Sequence, residues 1–401
     1  MQVDKNTEMP QNAQQVREVL ASRLHMQSEK QLRRTLTAQT SVQDRNYNFS
    51  SNDYLGLSQH PEVIAAFQKG ISDWGTGAGA SPLVTGYTTA HQTLAEELAE
   101  WFGVERVLLF NSGFSANQGV LQVLCKLGLT PIIDKLCHAS IYDGVNYPSS
   151  QRLARFQHNN YADLAAKQSK LPANTCPLIV SEGVFSMDGD SADVSALVAA
   201  KNTGMLMLDD AHGIGVTGAR GRGVFDHPQA PEIDIVTGTF GKAFGVAGAF
   251  VATDHQIADS LVQSARHLIY STAFAPAQAD AIRAALNTIK RDQSLQSALT
   301  ERIQLFKRNA AALKLRLGAS DTAIQPLLVG SNTLALRLSQ ALADSGFQCI
   351  AIRPPTVPKG TARIRFTLSL NQSLSAINQL FATIADILDN DQELTDACRI
   401  R

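Results

Sequence analysis

Lys242 is the residue of this sequence whose surroundings point most clearly to chemistry. It lies in the stretch TFGKAFGVAGA, residues 239–249, where its close neighbours are small or apolar, shortly after the apolar run DIV. A surface lysine usually stands in a polar helix face, whereas glycine and alanine neighbours let backbone and ligand approach closely. Desolvation lowers the pKa of a lysine and leaves a nucleophilic amine. We therefore expect Lys242 to be functional.

Further polar motifs follow other apolar runs of the chain. They are NSGFSANQ after VLLF, DKLCHAS after PII, SEGVFSMDGD after PLIV and DDAHGIG after MLML. In an open α/β sheet, ligands bind outside the carboxyl ends of the strands, so residues that follow the strands share one edge. Lysine, histidine, aspartate and serine side chains are therefore expected to converge there.

The motif DDAH, which holds Asp209, Asp210 and His212, admits two interpretations. Two carboxylates and an imidazole are all metal ligands, and with MDGD they would suit a metal-dependent hydrolase. Alternatively, one carboxylate holds a cationic ring nitrogen while the histidine donates to an oxygen. Pyridoxal phosphate needs these groups, together with a lysine for a Schiff base, a group over its ring and a phosphate cradle. The complete set favours pyridoxal phosphate, with no metal, over the hydrolase and over a cofactor-free binding protein.

The segment GIGVTG, residues 213–218, matches the dinucleotide-binding pattern G-x-G-x-x-G. Its context does not fit, because DDAH stands between the strand and the glycines. The following ARGRGVFDHP is also too rich in glycine to form the helix that carries a pyrophosphate. We expect no dinucleotide site here.

Length and composition exclude other classes of function. The chain has 401 residues, 35 basic and 36 acidic side chains and a net charge of -1. This balance does not suggest sequence-independent binding of nucleic acid. The N-terminus is polar, and no run approaches the ~18 uninterrupted apolar residues of a membrane span. We expect a soluble, cytoplasmic protein. The five cysteines are scattered without a C-x-x-C pair, which indicates neither a disulfide framework nor a cysteine zinc site.

Strand and helix patterns alternate along most of the chain, which predicts a largely parallel sheet. HPEVIAAFQKGISDWG and TTAHQTLAEELAEWFG are typical of amphipathic helices, the second with a capping box of Thr89 and Gln92. After AGAFVAT, two long helical stretches lead into further strands and a final helix at about 373–391. We predict an N-terminal arm and helix at 1–55, a large cofactor-binding domain at 56–290 and a small C-terminal domain at 291–401.

Several stretches, spread from about residue 33 to the end, resemble the α-oxoamine synthase group of pyridoxal-phosphate enzymes. They are NFSSNDYLGLSQHPEV, LFNSGFSANQ, SEGVFSMDGDSA, DDAHGIGVTGARGRG, TFGKAFGVAGA, RHLIYSTAFAPAQA and AIRPPTVPKGTARIRFTL. The resemblance implies the aspartate-aminotransferase fold, known as fold type I. This α/β fold has a large domain with a mostly parallel seven-stranded sheet and a smaller C-terminal α+β domain. The resemblance also implies a homodimer with shared active sites.

The resemblance assigns roles around the cofactor. Lys242 would form the Schiff base, and Asp209 rather than Asp210 would hold the pyridinium nitrogen. His212 would donate to the phenolic oxygen, and His138 would stack on the ring. The phosphate would be held by backbone amides and hydroxyls, in part from the neighbouring subunit: Gly113, Phe114, Ser186 and Thr239, with Ser271 and Thr272 from the neighbour.

The implied reaction is the decarboxylative condensation of an amino acid with an acyl thioester. AIRPPTVPKGTARIR and RHLIYST favour the branch that joins L-alanine to a pimeloyl group, carried by coenzyme A or an acyl-carrier protein. A glycine-using relative remains the alternative. Substrate-binding roles would fall to Arg33, Asn52, His138, Arg353, Thr356 and Arg365, with Arg34 as a rival of Arg33. Glu182 also matches an active-site position, without a specified role.

Overall fold

The computed structural model describes residues 11–36, 38, 43–145 and 153–400, so the first ten residues of the predicted N-terminal arm lie outside it. The α-helices of the described ranges are α1 Ala13–Glu29, α2 Pro61–Trp74, α3 Thr89–Phe102, α4 Gly113–Lys126, α5 Ala139–Val145, α6 Tyr161–Gln168, α7 Val194–Lys201, α8 His255–Ser264, α9 Arg266–Tyr270, α10 Pro276–Arg291, α11 Ser294–Ala312, α12 Asn332–Asp344, α13 Leu374–Asp389 and α14 Gln392–Cys398. No helix in these ranges is long and apolar enough to cross a membrane.

The strands of the described ranges form two sheets. They are β1 Arg106–Phe110, β2 Thr130–Asp134, β3 Ala154–Phe156, β4 Pro177–Glu182, β5 Met205–Asp209, β6 Ile235–Thr239, β7 Ala249–Thr253, β8 Ile324–Gly330, β9 Ala351–Ile352 and β10 Ala362–Thr367. The seven-stranded sheet has the order β1-β7-β6-β5-β4-β2-β3, and the small sheet has the order β8-β10-β9. Only β7 runs against its neighbours in the large sheet. The predicted mostly parallel seven-stranded sheet and the smaller C-terminal domain are confirmed.

The central strands of the large sheet are buried on both faces. Ile179, Leu206 and Val236 face one cluster of apolar side chains, whereas Val180 and Met207 face a second. Near-continuous apolar runs are typical of parallel strands covered by helices on both sides. Burial fixes the register of these strands, and with it the positions of the polar residues at their ends.

The carboxyl ends of β4, β5 and β6 lie side by side. Glu182 is paired in register with Asp209, and Asp209 with Thr237. Lys242 lies in the loop 240–248 that connects β6 to the antiparallel β7. The strand-ending motifs therefore meet at one edge of the sheet, as the alternating pattern predicts.

The N-cap residue of helix α3 lies one position earlier than predicted. The N-cap is Thr88, whose N–H donates to His91 Nδ1 at 3.2 Å. The prediction that Thr89 and Gln92 form the capping box is wrong. The buried His91 ring takes that place, and a 2.9 Å hydrogen bond between its Nε2 and the Phe274 carbonyl holds the ring there. Gln92 instead donates along the surface of the helix to Glu96.

Residues 49–54, before α2, pack against the small domain although they precede the large sheet in sequence. Phe49 N–H donates to the Gln348 carbonyl at 2.9 Å, and Thr367 N–H donates to the Phe49 carbonyl at 2.8 Å. Further along, Leu370 N–H donates to the Tyr54 carbonyl at 2.9 Å. This segment is therefore attached through its backbone to the small sheet and to the residues that follow β10. The predicted domain limits stay a prediction.

Candidate active site

A cavity of about 180 Å³ opens at the carboxyl edge of the large sheet. Most of its lining consists of residues predicted from the sequence to serve one site. The lining comprises Gly113, Phe114, Asn117, His138, Glu182, Ser186, Asp209, Ala211, His212, Thr239 and Lys242. Helix N-termini, loops and strand ends thus bring residues that are far apart in sequence to one place.

Lys242 is held in this cavity by a tight loop. The Gly245 N–H donates to the Lys242 carbonyl at 2.9 Å. Gly245 has φ +68°, and a Cβ there would lie 2.1 Å from Ser58 N, so the close approach of this loop to the 57–58 segment requires glycine. Desolvation lowers the pKa of Lys242 to about 8, although Asp209 and Glu182 favour its charged form. The amine is therefore near the balance between its charged and nucleophilic states.

The two adjacent aspartates face different surroundings. Asp209 lines the cavity, where its Oδ2 accepts from Asn117 at 2.7 Å and its Oδ1 from the Ala211 N–H at 3.0 Å. Asp210 is fully buried elsewhere, with its Oδ2 accepting from the Val224 N–H at 2.8 Å. Burial raises the pKa of Asp210 to about 7. The cavity thus contains the carboxylate of Asp209 alone from this pair.

The glycines of GIGVTG make room for carboxylates. A Cβ at Gly213 would lie 2.1 Å from an Asp210 oxygen, and one at Gly218 would lie 2.6 Å from an Asp226 oxygen. Side chains at these two positions would collide with the carboxylates. The close packing against Asp210 and Asp226 therefore explains why glycine stands at these two positions of GIGVTG, without a dinucleotide site.

Asn117 is a site residue that the sequence reasoning missed. Its Nδ2 donates to Asp209 and, at 2.9 Å, to Ser140 Oγ, and its Oδ1 accepts from Thr237 Oγ1 at 2.7 Å. A fully buried asparagine in the middle of α4 is unusual, and it stands one helical turn after Gly113 on the same face. That spacing was the available signal. Asn117 fixes the orientation of the Asp209 carboxylate.

Glu182 joins two loops of the cavity. Its Oε1 accepts from the backbone N–H of His138 at 2.5 Å, and its Oε2 accepts from the backbone N–H of Ser186 at 3.3 Å. Burial and the nearby Asp209 raise the pKa of Glu182 well above its ordinary value. Its role in the structure is to hold the His138 and Ser186 loops at a fixed separation.

His138 lies at the mouth of the cavity with its ring edge-on to Phe114, at 6.1 Å between ring centroids. Its Nδ1 bonds to Ser140 Oγ at 2.8 Å. Desolvation and the positive charge of Lys242 lower the pKa of His138. A neutral, laterally fixed imidazole of this kind can cover a planar ring.

The N-terminus of α4 provides donors for an anion. Gly113 and Phe114 form its first turn and line the cavity, opposite Thr239 and Ser186. A Cβ at Gly113 would meet nothing closer than 3.8 Å, so the space in front of this turn is open. Unpaired N–H groups and the helix dipole make such a turn suitable for a phosphate. Together with Lys242 and Asp209, this turn fits the charge pattern of pyridoxal phosphate.

Arg365 projects from β10 of the small domain toward the same edge. Its hydrogen bonds go to the neutral oxygens of Ser186, Asn52 and Thr367, at 2.6–3.3 Å. Arg363, two residues earlier on the strand, forms an ion pair with Asp188 at 2.6 Å. The two guanidinium groups are both buried, but only Arg363 has a carboxylate partner among the described residues.

The loop 186–190 of the large domain is held largely by the small domain. Arg365 and Arg363 donate to the carbonyls of Ser186 and Met187, and Ser320 Oγ and Thr322 Oγ1 both donate to the Gly189 carbonyl. Asp190 at its end bonds to His158, which also bonds to Asp134. Although burial opposes the charged form, these two carboxylates raise the pKa of His158 to about 10.

The carboxylates of MDGD are therefore occupied by cationic partners, Asp188 by Arg363 and Asp190 by His158. Among the described residues, no group of three or more histidine, cysteine, aspartate or glutamate side chains is arranged to hold a metal ion. The geometry around DDAH suits a single carboxylate that faces a ring nitrogen.

Of the predicted substrate residues, His138 lines the cavity, whereas Arg33, Asn52, Arg353, Thr356 and Arg365 lie outside its lining. Arg34, rather than Arg33, donates to Thr356 Oγ1, at 2.9 Å. Arg353 donates to the Gln31 carbonyl, and burial together with the nearby Arg34 lowers the pKa of Arg353. Two guanidinium groups, one after α1 and the other after β9, therefore lie close together.

Ser271 and Thr272 also lie outside the lining. Ser271 borders a separate apolar groove, and the Thr272 carbonyl accepts from Asn111 at 2.7 Å. The structure does not bring these two hydroxyls to Lys242 within one chain. Their predicted contribution to a neighbouring subunit stays a prediction.

Comparison with known proteins identifies the class to which this fold and pocket belong. Residues 45–380 match the family described as Aminotransferase class I and II. A structure of a variant serine palmitoyltransferase from S. paucimobilis, with bound PLP–myriocin, superimposes with a TM-score of 0.87 at 25% identity, over 95% of this chain and 99% of that one. Pyridoxal phosphate is therefore the cofactor, and the chain is a pyridoxal-phosphate-dependent transferase.

More similar relatives narrow the class. The 8-amino-7-oxononanoate synthase of Cronobacter sakazakii is 48% identical over 345 residues, covering 85% of this chain and 89% of that protein. The enzyme of the same name from Yersinia enterocolitica is 49% identical over 340 residues, covering 84% and 88%. The crystal structure of the Francisella tularensis 8-amino-7-oxononanoate synthase gives a TM-score of 0.74 at 28% identity, covering 86% and 99%. The chain belongs to the 8-amino-7-oxononanoate synthase family within the class I and II aminotransferases.

We predict that Asn117→Ala destabilises the protein by about 1–3 kcal/mol, because it leaves buried partners at Asp209 and Thr237 without their hydrogen bonds. Urea denaturation of the variant without cofactor measures this difference. Asn378→Ala is the matched control, since Asn378 makes a 2.9 Å side-chain bond to Asn309 on the surface and should cost less than about 0.5 kcal/mol. Equal losses in the two variants would contradict the buried network.

Proposed function

We propose that this enzyme is an 8-amino-7-oxononanoate synthase of biotin biosynthesis. L-alanine and a pimeloyl thioester, on coenzyme A or an acyl-carrier protein, would give 8-amino-7-oxononanoate, carbon dioxide and the free thiol. A bond forms between the α-carbon of alanine and the acyl carbon, the thiol leaves, and the alanine carboxylate departs as carbon dioxide. The names of the relatives support this reaction. The structural observation that carries it is the guanidinium of Arg365, free of carboxylates in the described structure, beside the Lys242 cavity.

Pyridoxal phosphate, when bound, supplies a ring that withdraws electrons from the α-carbon of the amino acid. Lys242 holds the cofactor and then acts as the base at the α-carbon, for which a pKa near 8 is suitable. Asp209, oriented by Asn117, keeps a proton on the ring nitrogen. His138 covers the ring, and the first turn of α4 with Ser186 and Thr239 holds the phosphate.

The arginines would select the substrates. Arg365 binds the α-carboxylate of alanine with Asn52 beside it. The far carboxylate of the pimeloyl group needs a cation of its own, and Arg353, after β9, lies near Arg34, which donates to Thr356. Arg33 is the neighbouring alternative to Arg34. A buried or partly buried arginine is favourable when an anion meets it.

The proposal includes a homodimer. Phe114 and Tyr270 are exposed apolar side chains near Ser271 and the α4 turn, and Leu83 and Val84 are exposed on the loop beside the apolar groove. A second copy that covers this surface would bring Ser271 and Thr272 toward the phosphate of its partner. This arrangement makes both subunits necessary for one complete site.

We predict that borohydride reduction of the holoenzyme attaches the cofactor to Lys242, because reduction makes a lysine Schiff base permanent. Peptide mapping locates the modified residue. Lys242→Ala should lose the visible absorption band and the label, whereas Lys135→Ala, on an exposed lysine beyond β2, should retain both. A label on any other lysine would refute the assignment.

We predict that Arg365→Lys raises the KM for L-alanine at least about tenfold, since lysine cannot form the bidentate pair and a bond to a charged group contributes about 1.5–3 kcal/mol. The spectrum of the bound cofactor should not change. Arg363→Lys is the control on the same strand: it should lower the melting temperature through the Asp188 ion pair but leave the KM for alanine within about threefold. The reverse pattern would show that Arg363 is the substrate residue.

We predict that the pimeloyl thioester is used at least about tenfold more efficiently, in kcat/KM, than the heptanoyl thioester of equal length, because only the former has a distal carboxylate. Release of free thiol measures both reactions, with L-alanine and with glycine as the second substrate. Arg353→Gln should reduce the preference for the charged donor. Equal use of the two thioesters would reject the proposed acyl substrate, and a preference for glycine would place the enzyme with the glycine-using synthases.

A further inference from the structure

Tyr54 makes a short hydrogen bond to the cavity residue His212, and the proposed reaction does not account for this bond. The Tyr54 hydroxyl lies 2.6 Å from His212 Nδ1, and both residues are buried. We propose that Tyr54 is a positioning residue that fixes the tautomer of His212. The hydroxyl donates to Nδ1, so the ring proton remains on Nε2 and the imidazole presents a donor to the cavity.

The direction of this hydrogen bond follows from its neighbours. The Tyr54 hydroxyl has one proton to donate and two acceptors within reach, His212 Nδ1 and Asn52 Oδ1. Asn52 Oδ1 is farther away, at 3.4 Å, and already accepts from Arg365, whereas His212 Nδ1 is at 2.6 Å. The tyrosine proton is thus directed to the imidazole.

The protonation states agree with this direction. Burial raises the pKa of Tyr54 to about 12, so its hydroxyl keeps the proton. Burial, together with the charges of Lys242 and Arg365, lowers the pKa of His212 well below its ordinary value, so the ring is neutral. A neutral imidazole has one donor and one acceptor nitrogen. When Nδ1 accepts from Tyr54, Nε2 must carry the hydrogen.

The backbone holds Tyr54 in place for this task. Its N–H donates to the Asn52 carbonyl at 2.8 Å, and its carbonyl accepts from the small-domain Leu370 N–H at 2.9 Å. The ring edge faces His212 at 6.1 Å between centroids. Without a phenol at this position both tautomers of His212 would be accessible, and one of them has no proton to donate toward the phenolic oxygen of the cofactor.

This inference deepens the proposed function, and it rests on that function only for the role of His212 toward the cofactor. The test uses the holoenzyme labelled with ¹⁵N-histidine and observed by two-bond ¹H–¹⁵N correlation, which distinguishes protonated from unprotonated ring nitrogens. His212→Asn identifies the His212 signals by their disappearance. The expected result is a proton on Nε2 and an acceptor shift at Nδ1.

Tyr54→Phe keeps the aromatic ring and removes only the hydroxyl. We expect it to shift the His212 Nδ1 resonance and to raise the dissociation constant for pyridoxal phosphate about 3- to 10-fold, as for the loss of one hydrogen bond. Tyr47→Phe is the matched control, because Tyr47 lies in the same segment but donates to Gln379, at 3.2 Å, on the surface. It should change neither quantity.

Two results would overturn the proposal. One is a proton on Nδ1 of His212 in the wild-type holoenzyme, a measurement that does not require the variant to fold. The other is a folded Tyr54→Phe protein whose His212 resonances and cofactor affinity equal those of the wild type. Neither readout involves alanine or a thioester, so a failure of the proposed reaction would be seen separately in the thiol-release assay.

Discussion

The side chains of one lysine and two acidic residues lie in one small cavity at the end of a parallel sheet. The geometry of the pocket depends on how the charges of these groups are compensated. The register of β4 and β5 places Glu182 beside Asp209, and the loop after β6 brings Lys242 to them. Charges in such a place are costly to bury unless each finds partners. The need for hydrogen-bond donors to these carboxylates therefore constrains the conformation of the surrounding loops.

Each carboxylate obtains those donors from a different part of the chain. Asp209 takes them from α4 and from its own following turn, through Asn117 and Ala211. Glu182 takes them from the backbone of the loops that carry His138 and Ser186. Because the segments that carry Asn117, Ala211, His138 and Ser186 also donate to these oxygens, the same interactions fix the position of the carboxylates and the conformation of these segments.

Much of this pocket could be predicted from the sequence because a parallel sheet turns a linear pattern into a spatial one. Residues after successive apolar runs must meet at one edge, and so Lys242, His138 and Asp209 could be placed together without coordinates. Asn117 could not be found in this way, since it lies within a helix and acts only through its contact with Asp209. The helical spacing from Gly113 was its sole signal.

Contacts between distant segments were equally hidden. Arg34, and not Arg33, contacts Thr356. This difference depends on the path of the chain after α1, and two adjacent arginines give no sign of it in the sequence. The partner of each arginine on β10 was hidden for the same reason: Arg363 and Arg365 are equivalent in local pattern and differ because Asp188 lies within reach of only the first. The capping residue of α3 was misplaced because the partner of His91, Phe274, is remote in sequence.

The loop 186–190 has a consequence for how such chains can diverge. It belongs to the large sheet in sequence, yet Ser320, Thr322, Arg363 and Arg365 of the small domain hold its carbonyls. The two sheets are consequently not interchangeable modules. A chimera that took its small domain from a relative without these donors would leave the Ser186 carbonyl and its neighbours unsatisfied, and the large domain would lose the shape of its own cofactor pocket. Recombination between relatives can therefore succeed only when the loop and the strand that anchors it are inherited together.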